Sequence, residues 1–176
     1  MIAHLEKHQL LPPHQSAYPL GHSVETAVTK VLSDLISSLD KGELGLLVLL
    51  DLSAAFDTVD HAILLTRLES SFDLTDRALS WIRSYLDNRS QTVFFNGKTS
   101  SRFNVPHGVP QGSVLGPVLF VLYTADIGSI THRHDLLSHF YADDSQLYLS
   151  CRQNSIQCDN TEIKLMQQLN RRLDGF

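Results

Sequence analysis

The sequence predicts an α+β fold. Three observations carry this: segments with helical apolar spacing, short apolar runs joined in pairs by turn residues, and the order helix, strand, helices, hairpin, helix, hairpin, helix. A composition of 43% hydrophobic and 19% charged residues is that of a packed chain, and 176 residues suffice for one core.

Met1 to Leu11 reads as a short helix stopped by Pro12 and Pro13. His22 to Leu39 carries Val24, Val28, Val31, Leu32, Leu35 and Ile36 as a helical stripe, with Ser23 as cap and Glu25 in the first turn. Lys41-Gly42 ends it. Leu44 to Leu52 is apolar until Asp51, as in a buried strand. Asp60–Leu68 and Thr75–Leu86 read as helices. In the second, Leu79, Trp81, Ile82 and Tyr85 are expected in the core. Thr92–Phe95 and Arg102–Val105 flank Asn96-Gly97, a hairpin signal, with Phe94 and Phe95 expected to pack. Pro106–Gly112 is a Gly/Pro loop. Ser113–Ile127 reads as a helix capped by Ser113, with Pro117 at the end of its first turn. Leu136–Tyr141 and Gln146–Leu149 form a second hairpin around Ala142-Asp143-Asp144-Ser145. Thr161–Leu173 is a last helix, with Arg171 and Arg172 on its solvated face.

No apolar run reaches the roughly 18 residues that span a bilayer, and Met1–Leu11 lacks the pattern of a signal peptide. Cys151 and Cys158 match neither a zinc knuckle nor a disulfide framework, so two reduced thiols in an intracellular protein are expected. The nine histidines show no H-E-x-x-H spacing, and most read as surface or loop residues. The net charge of -5 runs against the basic balance usual in nucleic-acid binders, unless charge is segregated by place.

Three features bear on chemistry. Asp143 and Asp144 sit side by side in a tight turn, where Asn-Gly would reverse the chain with less repulsion. A solvated acidic turn is the plain alternative. Asp51 ends a buried strand, where an acid must be paired, solvated in a cleft, or bound to a cation. A helix cap is its alternative. If the two strands are neighbours, three carboxylates converge. Oxygen donors without a Cys/His cluster favour Mg²⁺ over zinc, and paired ions of this kind serve phosphoryl transfer. Gly108-Val109-Pro110-Gln111-Gly112-Ser113 opens a helix. Its glycines allow close backbone approach to a ligand, and Gln111 offers a donor and an acceptor.

The stretches Leu50–His61, Gly108–Phe120 and Tyr141-Ala142-Asp143-Asp144 resemble motifs A, B and C of reverse transcriptases, in the wording of non-LTR, LINE-type retrotransposons. Leu10–Tyr18 and Gly21-His22-Ser23 resemble the fingers segment before motif A, with Pro19 where many relatives carry arginine. The likeness runs from about Leu10 to Leu149. It implies an RNA-directed DNA polymerase with a right-hand fold: a partial fingers segment over 1–40 and a palm over 41–176, an antiparallel sheet backed by helices.

By this resemblance Asp51 and Asp143 would hold two Mg²⁺ ions, for which Mn²⁺ could substitute, with Asp144 a weaker or partial ligand and the Leu52 carbonyl completing one ion's shell. Ser53, Ala54, Ala55, Phe56, Gln111 and Gly112 would meet the nucleotide, with Phe56 beneath the sugar and excluding a 2′-hydroxyl. Tyr141 and Ala142 would lie near the primer end. The implied partners are an RNA template, a DNA primer and deoxynucleoside triphosphates, with no membrane. The implied reaction is attack of a primer 3′-hydroxyl on an α-phosphate, releasing pyrophosphate. The thumb, the lysine of motif D and an earlier fingers segment would lie outside this chain, as in a truncated retrotransposon product. The competing readings are a catalytically inactive remnant and an acidic interaction module, the latter without convergence of Asp51 and Asp143.

Overall fold

The structure is a computed structural model that describes residues 1–17, 21–52 and 54–152, the side chains of 151 and 152 excepted. The expected helix at Thr161–Leu173, both cysteine side chains, Pro19, Ser53, Arg171 and Arg172 lie outside the described residues.

Helix α1 (Ile2–Lys7) is short and buries Leu5. Helix α2 (Val24–Asp40) starts at Ser23 in a capping box: Ser23 Oγ accepts from the Thr26 amide, and Thr26 Oγ1 accepts from the Ser23 amide. Its apolar stripe is divided. Val31 is buried and Leu35 meets Gly45, whereas Val24, Val28, Leu32, Ile36 and Leu39 face solvent. Strand β1 (Glu43–Leu50) follows. A 3-10 turn (Ala55–Asp57) then leads to α3 (His61–Ser70), where Asp60 Oδ1 accepts from the Ile63 amide at 2.9 Å. That bond holds the Asp60 carboxyl below its usual range.

Helix α4 (Asp76–Leu86) buries Ile82 and Leu86 but leaves Trp81 56% exposed, against the expected core position. Trp81 sits one residue off the buried face and stacks instead on Tyr85, with ring centres 5.8 Å apart.

The first hairpin forms in two pieces. β2 (Ser90–Gln91) pairs with β5 (Phe103–Asn104), and β3 (Phe94–Phe95) with β4 (Lys98–Thr99), around Asn96-Gly97. Phe94 and Phe95 are exposed rather than packed; among the described residues β3 and β4 pair chiefly with each other.

The helix expected over Ser113–Ile127 divides into α5 (Gly116–Tyr123) and α6 (Ile127–His132). Its cap position is Leu115, not Ser113, and Pro117 falls within the first two helical residues, where the missing amide costs nothing. The Ser113 hydroxyl works one turn earlier: it donates to the Pro110 carbonyl (2.6 Å) and accepts from the Gly116 amide (2.9 Å).

Strands β6 (Leu137–Tyr141) and β7 (Asp144–Arg152) close the described chain, β7 running longer than expected. The sheet order is β1-β7-β6, antiparallel throughout.

The larger core lies among helices rather than on the sheet. Leu64 and Leu68 of α3, Leu119 and Leu122 of α5, Leu86 of α4 and Leu5 of α1 are all fully buried. A smaller cluster of Leu136 and Leu149, with Leu46 and Val48 beside it, backs the sheet. Arg67 of α3 joins the two helical halves: it pairs bidentately with Asp126 (2.8 Å each), donates to the Tyr123 carbonyl and lies over the Tyr123 ring. Tyr148 Oη donates to Asp34 Oδ2 at 2.6 Å and so ties β7 to α2. Among the described residues no helix is long and apolar enough to cross a membrane.

Candidate functional site

Strand pairing brings the expected acids together. β1 and β7 pair over eight residues, the last pair being Leu50 with Ser145. Asp51 follows that pair on one strand and Asp144 precedes it on the other, so both flank the same end of the ladder. Paired Cα atoms in such a ladder lie about 4.5–5.5 Å apart. Asp143 occupies the adjoining two-residue turn, between the pair Tyr141 and Asp144. None of the three carboxylates has a hydrogen-bond or ion-pair partner among the described residues, so Asp51 does not serve as a helix cap.

The donor set is all oxygen, with the Leu52 carbonyl beside it, and suits a hard divalent cation. The carboxylates are nevertheless not drawn into a ligand cluster: among the described residues no group of three His, Cys, Asp or Glu could hold a metal ion. The Leu52 carbonyl accepts the Ala55 amide at 3.1 Å, which leaves one lone pair and occupies an amide assigned by resemblance to the nucleotide.

Two residues here hold a conformation that suits glycine. Ala54 lies in the left-handed region (φ 55, ψ 35), and Ala142 has φ 55. A non-glycine residue there costs roughly 1–2 kcal/mol. At Ala142 the surroundings supply the hold. The Ala142 amide donates to Gln15 Oε1 (2.9 Å), and Gln15 Nε2 donates to the Ala142 carbonyl (3.2 Å). Gln15 Oε1 also accepts from the Ala17 amide (2.9 Å). The main chain beside it bridges β6, with the Phe140 amide donating to the His14 carbonyl and the Ser16 amide to the Phe140 carbonyl. Gln15 is only 6% exposed. Sequence reasoning placed Gln15 in the fingers-like segment without a role, since no local pattern reveals a partner 127 residues away.

His139 is buried on β6, its Nε2 2.8 Å from Ser16 Oγ. Burial lowers its pKa.

The Gly108 loop is anchored to the turn after β1. The Val109 amide donates to the Phe56 carbonyl (2.7 Å) and the Gly108 amide to the Val59 carbonyl (2.8 Å). His61 Nε2 and Arg89 Nη1 both donate to the Gly108 carbonyl at 2.8 Å. Gly108 has φ +82, and a Cβ there would come within 2.9 Å of Asp57 Cα and the Phe56 carbonyl. Phe56 is half-buried, its ring 5.2 Å from that of Phe120. Gln111 and Gly112 are exposed beyond this anchor, with open space around Gly112.

The described palm-like arrangement is thus an antiparallel sheet with acids at one end and a glycine loop pinned alongside. A family model described as "Reverse transcriptase (RNA-dependent DNA polymerase)" matches residues 1–173. The chain belongs to the reverse transcriptase family. Among curated proteins, this reverse transcriptase chain is 32% identical over 127 residues to the "Probable RNA-directed DNA polymerase from transposon X-element" of Drosophila melanogaster, covering 72% of the chain and 14% of that protein. It is 33% identical over 139 residues to the "RNA-directed DNA polymerase from mobile element jockey" of Drosophila funebris, covering 76% and 15%. A third relative, the "Probable RNA-directed DNA polymerase from transposon BS" of Drosophila melanogaster, is 30% identical over 83% of the chain and 16% of its own length. The expected membership among LINE-type reverse transcriptases is borne out, as is the mixed helix and antiparallel-sheet fold. The chain spans about one-sixth or less of these relatives.

Proposed function

We propose that this chain forms the catalytic palm of an RNA-directed DNA polymerase, with residues 1–40 as part of its fingers and 41–176 as the palm. The reaction is transfer of a deoxynucleotide to a primer 3′-hydroxyl, with the RNA strand as template and pyrophosphate as leaving group. The reading rests above all on one observation: the β1–β7 register brings Asp51 and Asp144 to the same end of one ladder, with Asp143 in the next turn.

Asp51, Asp143, Asp144 and the Leu52 carbonyl would hold two Mg²⁺ ions. Bound there, the ions neutralise phosphate charge and lower the barrier to nucleotidyl transfer. The chain's own residues do the rest. Gln15 fixes the peptide ahead of Asp143 and so holds the main chain that carries its carboxylate. Gly108 stands against the turn after β1, and the exposed Gln111-Gly112 segment that follows it would line the nucleotide pocket with Ser53 and Ala54. Phe56, braced by Phe120, would lie under the sugar and disfavour a 2′-hydroxyl. Tyr141 and Ala142, just before Asp143, would adjoin the primer end.

Primer extension on an RNA template with Mg²⁺, comparing the chain with Asp143→Asn, tests this. Extension by the native chain is expected to fall to background in the variant. Equal extension by both proteins would place catalysis elsewhere. Extension by neither, even within a longer polypeptide that includes the flanking coding sequence, would favour the inactive remnant.

A further inference from the structure

We propose that the Ser90–Asn104 hairpin is a docking surface for an unpaired stretch of the RNA template strand. The proposal rests on the polymerase reading and adds a surface to it.

Phe94, Phe95 and Phe103 are 72%, 73% and 57% exposed, and Val93 beside them is also exposed. Three phenylalanine rings in water on one short ribbon are costly to leave uncovered. The charge along this stretch of chain is one-sided. The whole chain has 19 acids against 14 Lys and Arg, yet no Asp or Glu stands between Asp87 and Asp126. Arg89, Lys98 and Arg102 lie within that acid-free stretch. Rings with only cations among them suit a polyanion with flat apolar faces, which is a single nucleic-acid strand.

The strand geometry supports this. Phe95 pairs directly with Lys98 across the ribbon, so a stacking ring and a phosphate-seeking charge share one face. Phe94 projects to the other face. The base of the hairpin is fixed relative to the acids: the Val105 amide donates to the Arg89 carbonyl (2.9 Å), and Arg89 reaches the Gly108 carbonyl against the turn after β1. In templated copying the primer is paired, and only template ahead of it shows free base faces to stack.

The test measures binding of a labelled oligouridylate to the whole chain by fluorescence anisotropy across a salt series. Phe94→Ala/Phe95→Ala is expected to weaken single-strand binding about tenfold or more, at roughly 1–3 kcal/mol per stacked base. Binding of a duplex RNA is expected to stay unchanged, as is the melting temperature, because both rings are exposed. Lys98→Ala should lower the slope of log affinity against log salt by about 0.7, the value for one phosphate of a single strand. Ring variants that bind oligouridylate like the native chain would overturn the proposal, and so would equal loss of single-strand and duplex binding. Self-association that depends on Phe94 and Phe95, with RNA affinity unaltered, would assign the surface to a second copy of the chain instead. Failure of the polymerase reading looks different: ring-dependent RNA binding by a chain that extends no primer. Primer extension with ring-independent binding would sink the docking surface alone.

Discussion

Two hairpins in this chain reverse direction over two residues, and they are held in opposite ways. The Asn96-Gly97 turn uses residues that take positive φ (48 and 72) at little cost, and only two pairs close it on each ladder. The Ala142-Asp143 turn puts alanine at φ 55, then needs a buried glutamine from a distant segment and five pairs on one side to keep it there. Its long strand is backed by eight further pairs with β1. A turn that only reverses the chain can rely on local chemistry. A turn with alanine at positive φ gives up the best turn residues and depends on its neighbours.

The largest expected effect falls on the loop that ties the first hairpin to the turn after β1. Gly108→Ala forces a Cβ into the backbone of Phe56 and Asp57 at positive φ, where backbone cannot step aside. A loss of about 3 kcal/mol is expected from left-handed strain plus overpacking, read by chemical denaturation. A cost below about 1 kcal/mol would show that the anchor is loose.

Gln15→Met comes next. It keeps the volume and removes both bonds to Ala142. Each lost bond to a buried peptide group costs about 1–3 kcal/mol, so Ala142 amide exchange should accelerate at least tenfold. If the same substitution leaves exchange unaltered, the turn holds itself and the contrast between the hairpins fails. The Asn96 amide is expected to exchange alike in both proteins.

The pH response should be smaller. His139, next to Phe140 in β6, is buried, and its pKa is lowered from 6.5. The folded chain therefore binds fewer protons than the unfolded chain as pH drops below 6.5, so folding stability declines there and levels off once the folded-state pKa is passed. Thermal melts of the native chain and of His139→Gln between neutral and mildly acidic pH should diverge in that sense. Parallel curves would mean that another group governs the acid limb.

The smallest effect is expected at Phe94 and Phe95. Replacing both by alanine should change stability by no more than about 0.5 kcal/mol, since neither ring contributes to a core. A larger loss would show that the aromatic hairpin is packed after all.

Much of the fold was legible because its signals are local. Ser23 caps α2, Asp60 begins α3, Asn96-Gly97 turns a hairpin, and the apolar run before Asp51 forms a strand. The misread positions are those whose environment is set at long range. Trp81 and Ile82 are adjacent on a helix, and only the packing of α4 against α3 decides which is buried. Pro117 is compatible with several helix starts, and the choice of Leu115 as cap depends on Ser113 being drawn to the Pro110 carbonyl.

The sequence by itself determined where acids, glycines and turns stand along the chain, because propensity and side-chain chemistry act over a few residues. It also carried the likeness to reverse transcriptases, since motif order is a property of the string. Only tertiary structure decided that β7 lies between β1 and β6, that Gln15 holds Ala142, and that three phenylalanines stay in water. Those facts depend on which surfaces meet across more than a hundred residues, and burial and hydrogen bonding fix them only once the chain has closed on itself.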